Sequence, residues 1–437
     1  MGRRWGHGML LGMLALFSSV VSADIDEAEP ARTNTELEMA DDSIVVAAVS
    51  SPRQAGSPEF DNEKRRVDVP AAQFEAVYKA SLWTGLNGPL RGHAAYLGNL
   101  DLKLTLAGEK LYGLPGNTVF AHGLHDHGSK PNKRVGAAQG IDNIEVETNT
   151  GKLYQLWMQQ QFADDRLSVL AGLYDLNSEF YVTDAAAVFI HPALGIGTDM
   201  AQSGRNGPSI FPATSLALRL RVQPSDASYL QTAVLDGVPG DADNPRGTHV
   251  RFDDGDGSLH VAEAGLRTGS EDRAGKLAIG YWRYTSRFDH LVDVDSDGAP
   301  QRKVSRGGYL LVEQPLWHGS GDGRTITGFA RLGLASAAVN EFSHALALGA
   351  VWTQPLRGRA DDTLGIAVAG ARRGAPFLRV AADADAPVAR HEITWEMTYR
   401  ARVTEWLWLQ PGLQHLLTYS PDAPRSTLAF MRAEITY

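Results

Sequence analysis

Strict alternation of apolar and polar residues is the clearest pattern along this chain, and it is sharpest in EITWEMTYRARV at 392–403. One alternating set is apolar, and the other carries charged or hydroxyl groups, including Glu392, Glu396, Arg400 and Arg402. Because successive side chains of a strand point to opposite faces, this run predicts a strand with one apolar wall and one charged wall. The run LAFMRAEITY at 428–437 alternates in the same way.

Three further runs repeat the pattern: NLDLKLTL at 99–106, LYQLWMQQQF at 153–162 and LALRLRVQ at 216–223. In the second run, Tyr154, Leu156, Met158 and Phe162 are expected on the face opposite Gln155, Trp157, Gln159 and Gln161. A dry protein core does not accept so many charged and amide groups without partners, whereas a water-filled interior does. The pattern therefore favours a barrel with lipid outside and water inside.

The predicted fold class is all-β, a transmembrane antiparallel β-barrel of the outer-membrane porin type. The residues after Arg66 suffice for about sixteen strands, and eighteen would fit nearly as well. Aromatic residues near expected strand ends are candidates for interfacial girdles or for ordinary packing. They are Trp317, Trp352, Trp406, Trp408 and Tyr419.

Composition divides the chain into three parts. Residues 1–23, with Arg3 and Arg4 before an apolar run, are predicted to be a secretory signal peptide, and 24–66 a mostly disordered acidic periplasmic leader. Residues 67–437 are predicted to form the barrel. The chain has 0 cysteines, so no disulfide contributes to stability, and its net charge of -10 argues against nucleic acid as a partner.

Several segments resemble the carbohydrate-selective porin family, the OprB type. They include GIDNIEVETNTGKLYQLWMQQQF at 140–162, LAGLYDLNSEFYVTDAAAVFIHPALGIG at 170–197, GPSIFPATSLALRLRVQPSDASYLQTAVLDG at 207–237, GGYLLVEQPLW at 307–317 and EMTYRARVTEWLWLQPGLQHLLTYSP at 396–421. The resemblance implies a sixteen-stranded barrel of the bacterial outer membrane, with inward-folded loops, that passes mono- and small oligosaccharides by diffusion and is not an enzyme. The implied partners are sugars, outer-membrane lipid and lipopolysaccharide, and a homotrimer is compatible with it.

A sugar has apolar C–H faces and many hydroxyls, so a selective pore needs flat aromatic surfaces beside charged or amide groups. The inward loop is expected between about Asp184 and Pro212, and the turn before it resembles one typical of the family. The candidates for substrate binding and pore lining are Trp157, Asp175, Asn177, Glu179, Arg219, Arg221, Glu313, Gln314, Glu392, Glu396, Arg400 and Arg402. The alternative for each is a wall residue that pairs with an opposite charge and keeps the lumen wet.

Two motifs raise the question of metals, although no cofactor is expected. Asp293, Asp295, Asp297 and Gly298 match the start of a calcium loop, but Val304 occupies the position of the bidentate glutamate, so a plain turn is favoured. HGLHDH at 122–127 is interpreted as a solvated loop rather than a transition-metal site.

Two alternatives to a sugar channel stay open at this point. A general or organic-acid porin would share the architecture and differ only in the chemistry of its constriction. A secreted β-rich polysaccharide-binding protein or hydrolase would instead expose its polar faces to water. Carboxylate pairs such as Glu145 with Glu147 do not by themselves indicate a hydrolase, because sequence spacing says nothing about the separation that glycoside hydrolysis requires.

Overall fold

The computed structural model describes residues 70–269, 275–319, 323–386, 388–418 and 425–437. The signal peptide predicted at 1–23, the leader predicted at 24–66 and the girdle candidate Tyr419 lie outside the described residues and stay predictions.

The described residues form sixteen strands that close into one barrel in sequence order, with β1 hydrogen-bonded to β16. The strands are β1 Ala72–Gly85, β2 Ala94–Ala107, β3 Asn117–Gly128, β4 Gly151–Phe162, β5 Leu167–Tyr174, β6 Ser215–Ser225, β7 Ser228–Asp236, β8 Ser258–Thr268, β9 Gly275–Val294, β10 Pro300–His318, β11 Thr325–Ala335, β12 Phe342–Thr353, β13 Thr363–Arg373, β14 His391–Arg402, β15 Leu407–Thr418 and β16 Ser426–Thr436. Every pairing is antiparallel, from Ala80 opposite Ala433 at the closure to Glu396 opposite Gln414. The predicted all-β barrel of about sixteen strands is confirmed.

Short helical segments interrupt the connections. They are α1 Gly108–Tyr112, α2 Asn132–Val135, α3 Pro192–Gly195, α4 Thr198–Ala201 and α5 Ala375–Asp383, with 3-10 turns at Leu176–Ser178 and Asp184–Val188. Within the described residues, none of the helices has both the length and the apolar character needed to cross a bilayer.

The alternating pattern sorts side chains between the two faces of the wall as predicted. Leu102, Leu218 and Met397 are exposed on the outer face, whereas Arg219 and Glu396 are buried on the inner face. Closure leaves no unpaired edge, so the backbone hydrogen bonds of the wall are satisfied without help from solvent.

One side chain points the other way from the expectation, and one of the girdle candidates faces the interior. Tyr154 is buried inside the barrel, 5.2 Å from His122 between ring centroids, because a bulge in the β3–β4 pairing inserts one extra residue. Trp408 also faces inward, on the same side of β15 as Gln410 and Gln414, so it is not part of a girdle.

The other described girdle candidates lie where strands meet their short connections. Trp317 is exposed near the end of β10, Trp352 lies near the end of β12, and Trp406 is exposed in the turn before β15. All three are therefore at the same end of the barrel, as an interfacial girdle requires.

The two ends of the barrel differ in the length of their connections. Tyr437 and the connections after even-numbered strands form what we name the turn end, and the connections after odd-numbered strands form the loop end. Two connections at the loop end fold into the barrel: the second loop, 129–150, and the inward loop, 175–214. The inward loop expected at about 184–212 is thus confirmed, with wider bounds.

The apolar core lies inside the cylinder, between these loops and the wall. Phe180, Tyr181 and Met200 of the inward loop pack against Trp282 of β9 and Tyr309 of β10, all buried. The rings of Tyr181 and Tyr309 stack with centroids 3.9 Å apart. The loops therefore occupy the lumen as packed structure, which fixes where a solute can pass.

Candidate functional site

The start of the inward loop is fixed by two of the predicted site carboxylates. Asp175 accepts a hydrogen bond at 2.9 Å from the backbone N–H of Asn177 and so caps the first 3-10 turn. Glu179 receives the Nε of Arg219 at 2.8 Å and its Nη2 at 2.9 Å, a two-point contact. Arg219 is 1% exposed and also donates to Gln159 at 2.5 Å.

Burial and charge move the pKa values of these loop carboxyls in opposite directions. Burial raises the pKa of Asp175 to about 6. Burial also acts to raise the pKa of Glu179, but the Arg219 guanidinium and the Tyr174 hydroxyl outweigh it and hold that pKa below its usual range. The ionised Glu179 therefore stays paired with Arg219 as a fixed part of the loop's base.

Two carboxylates of the wall accept hydrogen bonds from backbone N–H groups of the loops. Glu392 accepts from the N–H groups of Ala138 and Gln139, each at 2.8 Å. Four residues along the same strand, Glu396 accepts from Ile190 at 3.0 Å and His191 at 2.8 Å. Each carboxylate thus satisfies two loop donors that would otherwise be buried without a partner.

Glutamates on the other side of the barrel, on β8 and β10, also accept hydrogen bonds from backbone N–H groups of the inward loop. Glu263 of β8 accepts from the backbone N–H of Tyr181 at 3.0 Å and from the hydroxyl of Tyr309 at 2.7 Å. Glu313 of β10 accepts from the N–H of Ala185 at 3.0 Å. The inward loop is therefore held on both sides of the lumen.

Two wall arginines also anchor the loops. Arg331 of β11 donates to the carbonyls of Leu194 at 3.2 Å and Gly195 at 2.9 Å, at the carboxyl end of α3, where helical carbonyls lack partners. Arg432 of β16 bonds Asp142 at 2.6 Å and Asn143 at 2.8 Å in the second loop.

The remaining predicted residues are more scattered. Trp157 is buried, stacks on Phe120 with centroids 5.0 Å apart and donates to Gln155 at 3.2 Å. Arg221 lies 4.7 Å over the ring of Tyr229. Gln314 is exposed on the outer face of β10, opposite to Glu313, so the structure does not bring it to the lumen.

Arg400 and Arg402 lie on the inner wall close to the turn end. The Arg400 guanidinium carbon is 3.8 Å from the centroid of the Trp408 ring, and its Nη2 donates to Glu434 at 2.8 Å. Arg402 is 5.8 Å from the same centroid and pairs with Asp361 at 3.0 Å. An aromatic ring, guanidinium groups and carboxylates therefore meet at one place.

A cavity of about 580 Å³ opens between this part of the wall and residues 187–190 of the inward loop, and we call it the chamber. Its size is within the usual range for small-molecule sites. Three acidic and three basic side chains line the chamber, so the charges of the lining side chains balance. They are Glu75, Glu405, Glu434, Lys79, Arg400 and Arg432.

Sequence reasoning missed Trp408, Glu434, Glu263, Arg331 and Arg432 as site residues. All five alternate with apolar neighbours in their strands. This alternation would have predicted that their side chains face the interior of the barrel. Applying the alternation rule to LWLQPGLQ at 407–414 would have placed Trp408 on the side of Gln410 and Gln414.

The two motifs weighed for metals have other structures. Asp295 accepts hydrogen bonds from the N–H groups of Asp297 at 2.9 Å and Ala299 at 3.0 Å, which makes the DVDSDG segment a tight turn. HGLHDH is part of β3 rather than a loop, so His122 and Asp126 face inward while His125 faces outward. Within the described residues, no three acidic or histidine side chains are grouped to hold a metal ion.

Comparison with known proteins agrees with this architecture. The family model for the carbohydrate-selective porin, OprB family, matches residues 91–420. Porin B of Pseudomonas aeruginosa is 24% identical over 311 residues, 65% of this chain and 67% of that protein. The family match covers well over half of the chain.

Solved structures show the same fold. The high-pH structure of OprB from Pseudomonas putida superposes with a TM-score of 0.73 at 19% identity, over 84% of this chain and 94% of that one. The low-pH structure of the same protein gives a TM-score of 0.55 at 17% identity, over 84% and 93%. With the family match over 91–420, the chain belongs to the carbohydrate-selective porin family.

Proposed function

We propose that this protein is a passive channel of the bacterial outer membrane for neutral mono- and small oligosaccharides, and that the chamber is where they bind in transit. The observation that carries the proposal is the lining of the chamber: the ring of Trp408 lies among three acidic and three basic groups whose charges balance. No chemical step is needed, because the solute only has to enter, bind weakly and leave.

The chemistry of the lining suits a sugar. The indole ring offers a flat surface to the C–H face of a pyranose, while Glu434 and Arg400 can exchange hydrogen bonds with its hydroxyls. The Arg400–Glu434 pair, 2.8 Å apart, donates and accepts hydrogen bonds without adding a net charge to the lining. A neutral solute therefore gains contacts, whereas an ion gains no attraction from the lining as a whole.

The same balance separates a sugar channel from an organic-acid channel. A pore that selects carboxylates needs an excess of positive charge at its binding site. The chamber has three basic groups against three acidic ones, so it offers no such excess.

Liposome swelling with a neutral hexose and with a sugar acid of the same carbon number tests the proposal. We expect faster swelling with the neutral sugar, and concentration-dependent block of ionic current by that sugar in planar bilayers. Entry of the acid at an equal or higher rate would instead support the organic-acid channel. A protein recovered from the soluble fraction, without heat-modifiable migration, would contradict the membrane location.

A further inference from the structure

A row of basic side chains crosses the outer face of the barrel on β8, β9 and β10. Arg283 of β9 lies opposite His260 of β8 on one side and Arg306 of β10 on the other. All three are exposed, whereas the neighbours of Arg283 in the chain, Trp282 and Tyr284, are buried inside. The three cationic or protonatable groups therefore point away from the lumen.

An apolar surface adjoins this basic row on the side of the turn end. One pleat closer to the turn end, Tyr281 is opposite Gly308, which is opposite Leu334, and the next row down brings Ile279 opposite Leu310. Tyr281 is 49% exposed, Leu334 46% and Ile279 63%, as expected for residues that face hydrocarbon. The basic row is thus at the boundary between the apolar band and the loop end.

A groove joins the two zones. Gly308 has no side chain, and this leaves a cavity of about 390 Å³ lined by Tyr281, Gly308 and Leu334 below and by Arg306 and Ser336 above. One end of the groove is apolar and the other is cationic and polar. Its shape suits a molecule with a hydrocarbon chain attached to an anionic head.

Arg283 and Arg306 have no anionic partner in the described part of the chain. Farther toward the loop end, Arg302 pairs with Asp289 at 3.1 Å and Arg287 donates to the carbonyl of Arg302 at 3.0 Å. No described carboxylate forms an ion pair with Arg283 or Arg306. Their charges are available to an external anion.

We propose that Arg283 and Arg306 bind the phosphorylated head of a glycolipid in the outer leaflet, with one acyl chain in the groove at Gly308. Long loops mark the outward end of such barrels, so the row lies in the leaflet where phosphorylated glycolipid is the abundant anion. Guanidinium groups match phosphate geometry with two parallel hydrogen bonds. The site is outside the lumen and goes beyond the sugar-conducting function.

Native mass spectrometry of the full-length protein with bisphosphoryl lipid A and with its dephosphorylated form tests the site. We expect the bisphosphoryl form to bind more tightly to the unmodified protein. The double variant Arg283→Gln/Arg306→Gln should lose affinity by about fivefold for each arginine, the usual effect of one basic residue on binding to an anionic lipid surface.

The matched control is Arg91→Gln/Arg379→Gln, which removes the same charge from exposed arginines elsewhere at the loop end. It should bind lipid A as the unmodified protein does, and both double variants should keep heat-modifiable migration and sugar-driven swelling. Equal loss of lipid A from both variants would overturn the proposal, since net charge alone would then explain binding. Competition by millimolar inorganic phosphate as effective as that by lipid A would also overturn it, because the groove would contribute nothing.

Discussion

The carboxylate of Glu396 accepts a hydrogen bond at 3.0 Å from the backbone N–H of Ile190, a residue 206 positions earlier in the chain. The next N–H, of His191, donates to the other oxygen at 2.8 Å, and Gln414 supplies a third donor at 2.9 Å. Glu396 is 0% exposed. This contact joins the wall to the middle of the inward loop, and it is one of several wall contacts that set the position of the loop.

The variant Glu396→Gln should release the inward loop locally. The amide keeps one acceptor oxygen but turns an NH₂ toward a backbone donor, so we expect a loss of about 2 kcal/mol in the free energy of unfolding. Single-channel recordings should show larger and noisier conductance. Thr394→Val is the control, because Thr394 lies on the same face between Glu392 and Glu396, and its hydroxyl has no hydrogen-bond partner among the described residues. Unchanged conductance and stability in E396Q would show that the other wall contacts suffice to hold the loop.

The variant Trp408→Ala should weaken sugar binding without closing the channel. Loss of the aromatic face costs about 1 kcal/mol, or about fivefold in the dissociation constant obtained from current block. Trp406→Ala is the matched control, since Trp406 is two residues away, exposed in the turn and not part of the chamber lining. If both variants bind sugar equally well, the indole ring of Trp408 is not the contact surface.

The pair of Arg219 and Glu179 should behave as a structural unit. Arg219→Met leaves a partly buried carboxylate without its cation, and we expect urea unfolding to report a loss of about 3 kcal/mol. The double variant R219M/E179M should be more stable than the single variant, because no unpaired charge remains. Arg221→Met removes an arginine that contacts Tyr229 and Gln231 but forms no ion pair among the described residues, and it should cost less than R219M. Additive losses in the double variant would contradict a coupled pair.

Buried carboxyls in the loops give stability a definite dependence on pH. Burial raises the pKa of Asp199 to about 7 and that of Glu145 to about 8. A carboxyl with a raised pKa binds its proton more tightly in the folded state, so stability falls as pH increases from about 4 to about 7 for Asp199. We therefore expect the unfolding midpoint in urea to rise as the pH is lowered from 8 to about 6.5. Below that pH, His191 acts in the opposite direction, because burial lowers its pKa to about 3 and the unfolded chain binds the proton more readily.

The variant Asp199→Asn tests this dependence, because an amide cannot titrate in this range. The amide oxygen still accepts a hydrogen bond from the Tyr181 hydroxyl, which lies 3.0 Å from the carboxylate in the unmodified protein. Its unfolding midpoint should rise less between pH 8 and about pH 6.5 than that of the unmodified protein. Identical pH profiles would mean that Asp199 is charged in the folded protein throughout this range.

The barrel was readable from sequence because its rule is local. Alternation in EITWEMTYRARV requires only that neighbouring side chains alternate between lipid and lumen, and Met397 and Glu396 do so. Tyr154 was placed wrongly because a bulge depends on the pairing of two strands, which one strand's pattern does not contain.

The contacts inside the barrel could not be read in the same way. The inner-face position of Glu392 and Glu396 followed from alternation, but their bonds to Gln139 and Ile190 join residues more than 200 positions apart. The role of these glutamates in sugar passage stays a prediction, and their anchoring contacts are a structural finding. Trp408 was considered only as an aromatic near a strand end, since membrane interfaces and sugar sites use the same residue type.

The carboxylates of Glu392 and Glu396 bind backbone N–H groups of the loops, and these contacts do not involve loop side chains. Apart from proline, each of the twenty amino acids presents an identical amide at such a position. A substitution at the half-buried Ala138 can therefore alter the surface that the second loop presents to a solute, while the path of that loop across the lumen is preserved. The selectivity of such a channel can therefore change through loop side chains while the hydrogen bonds between wall and loop remain.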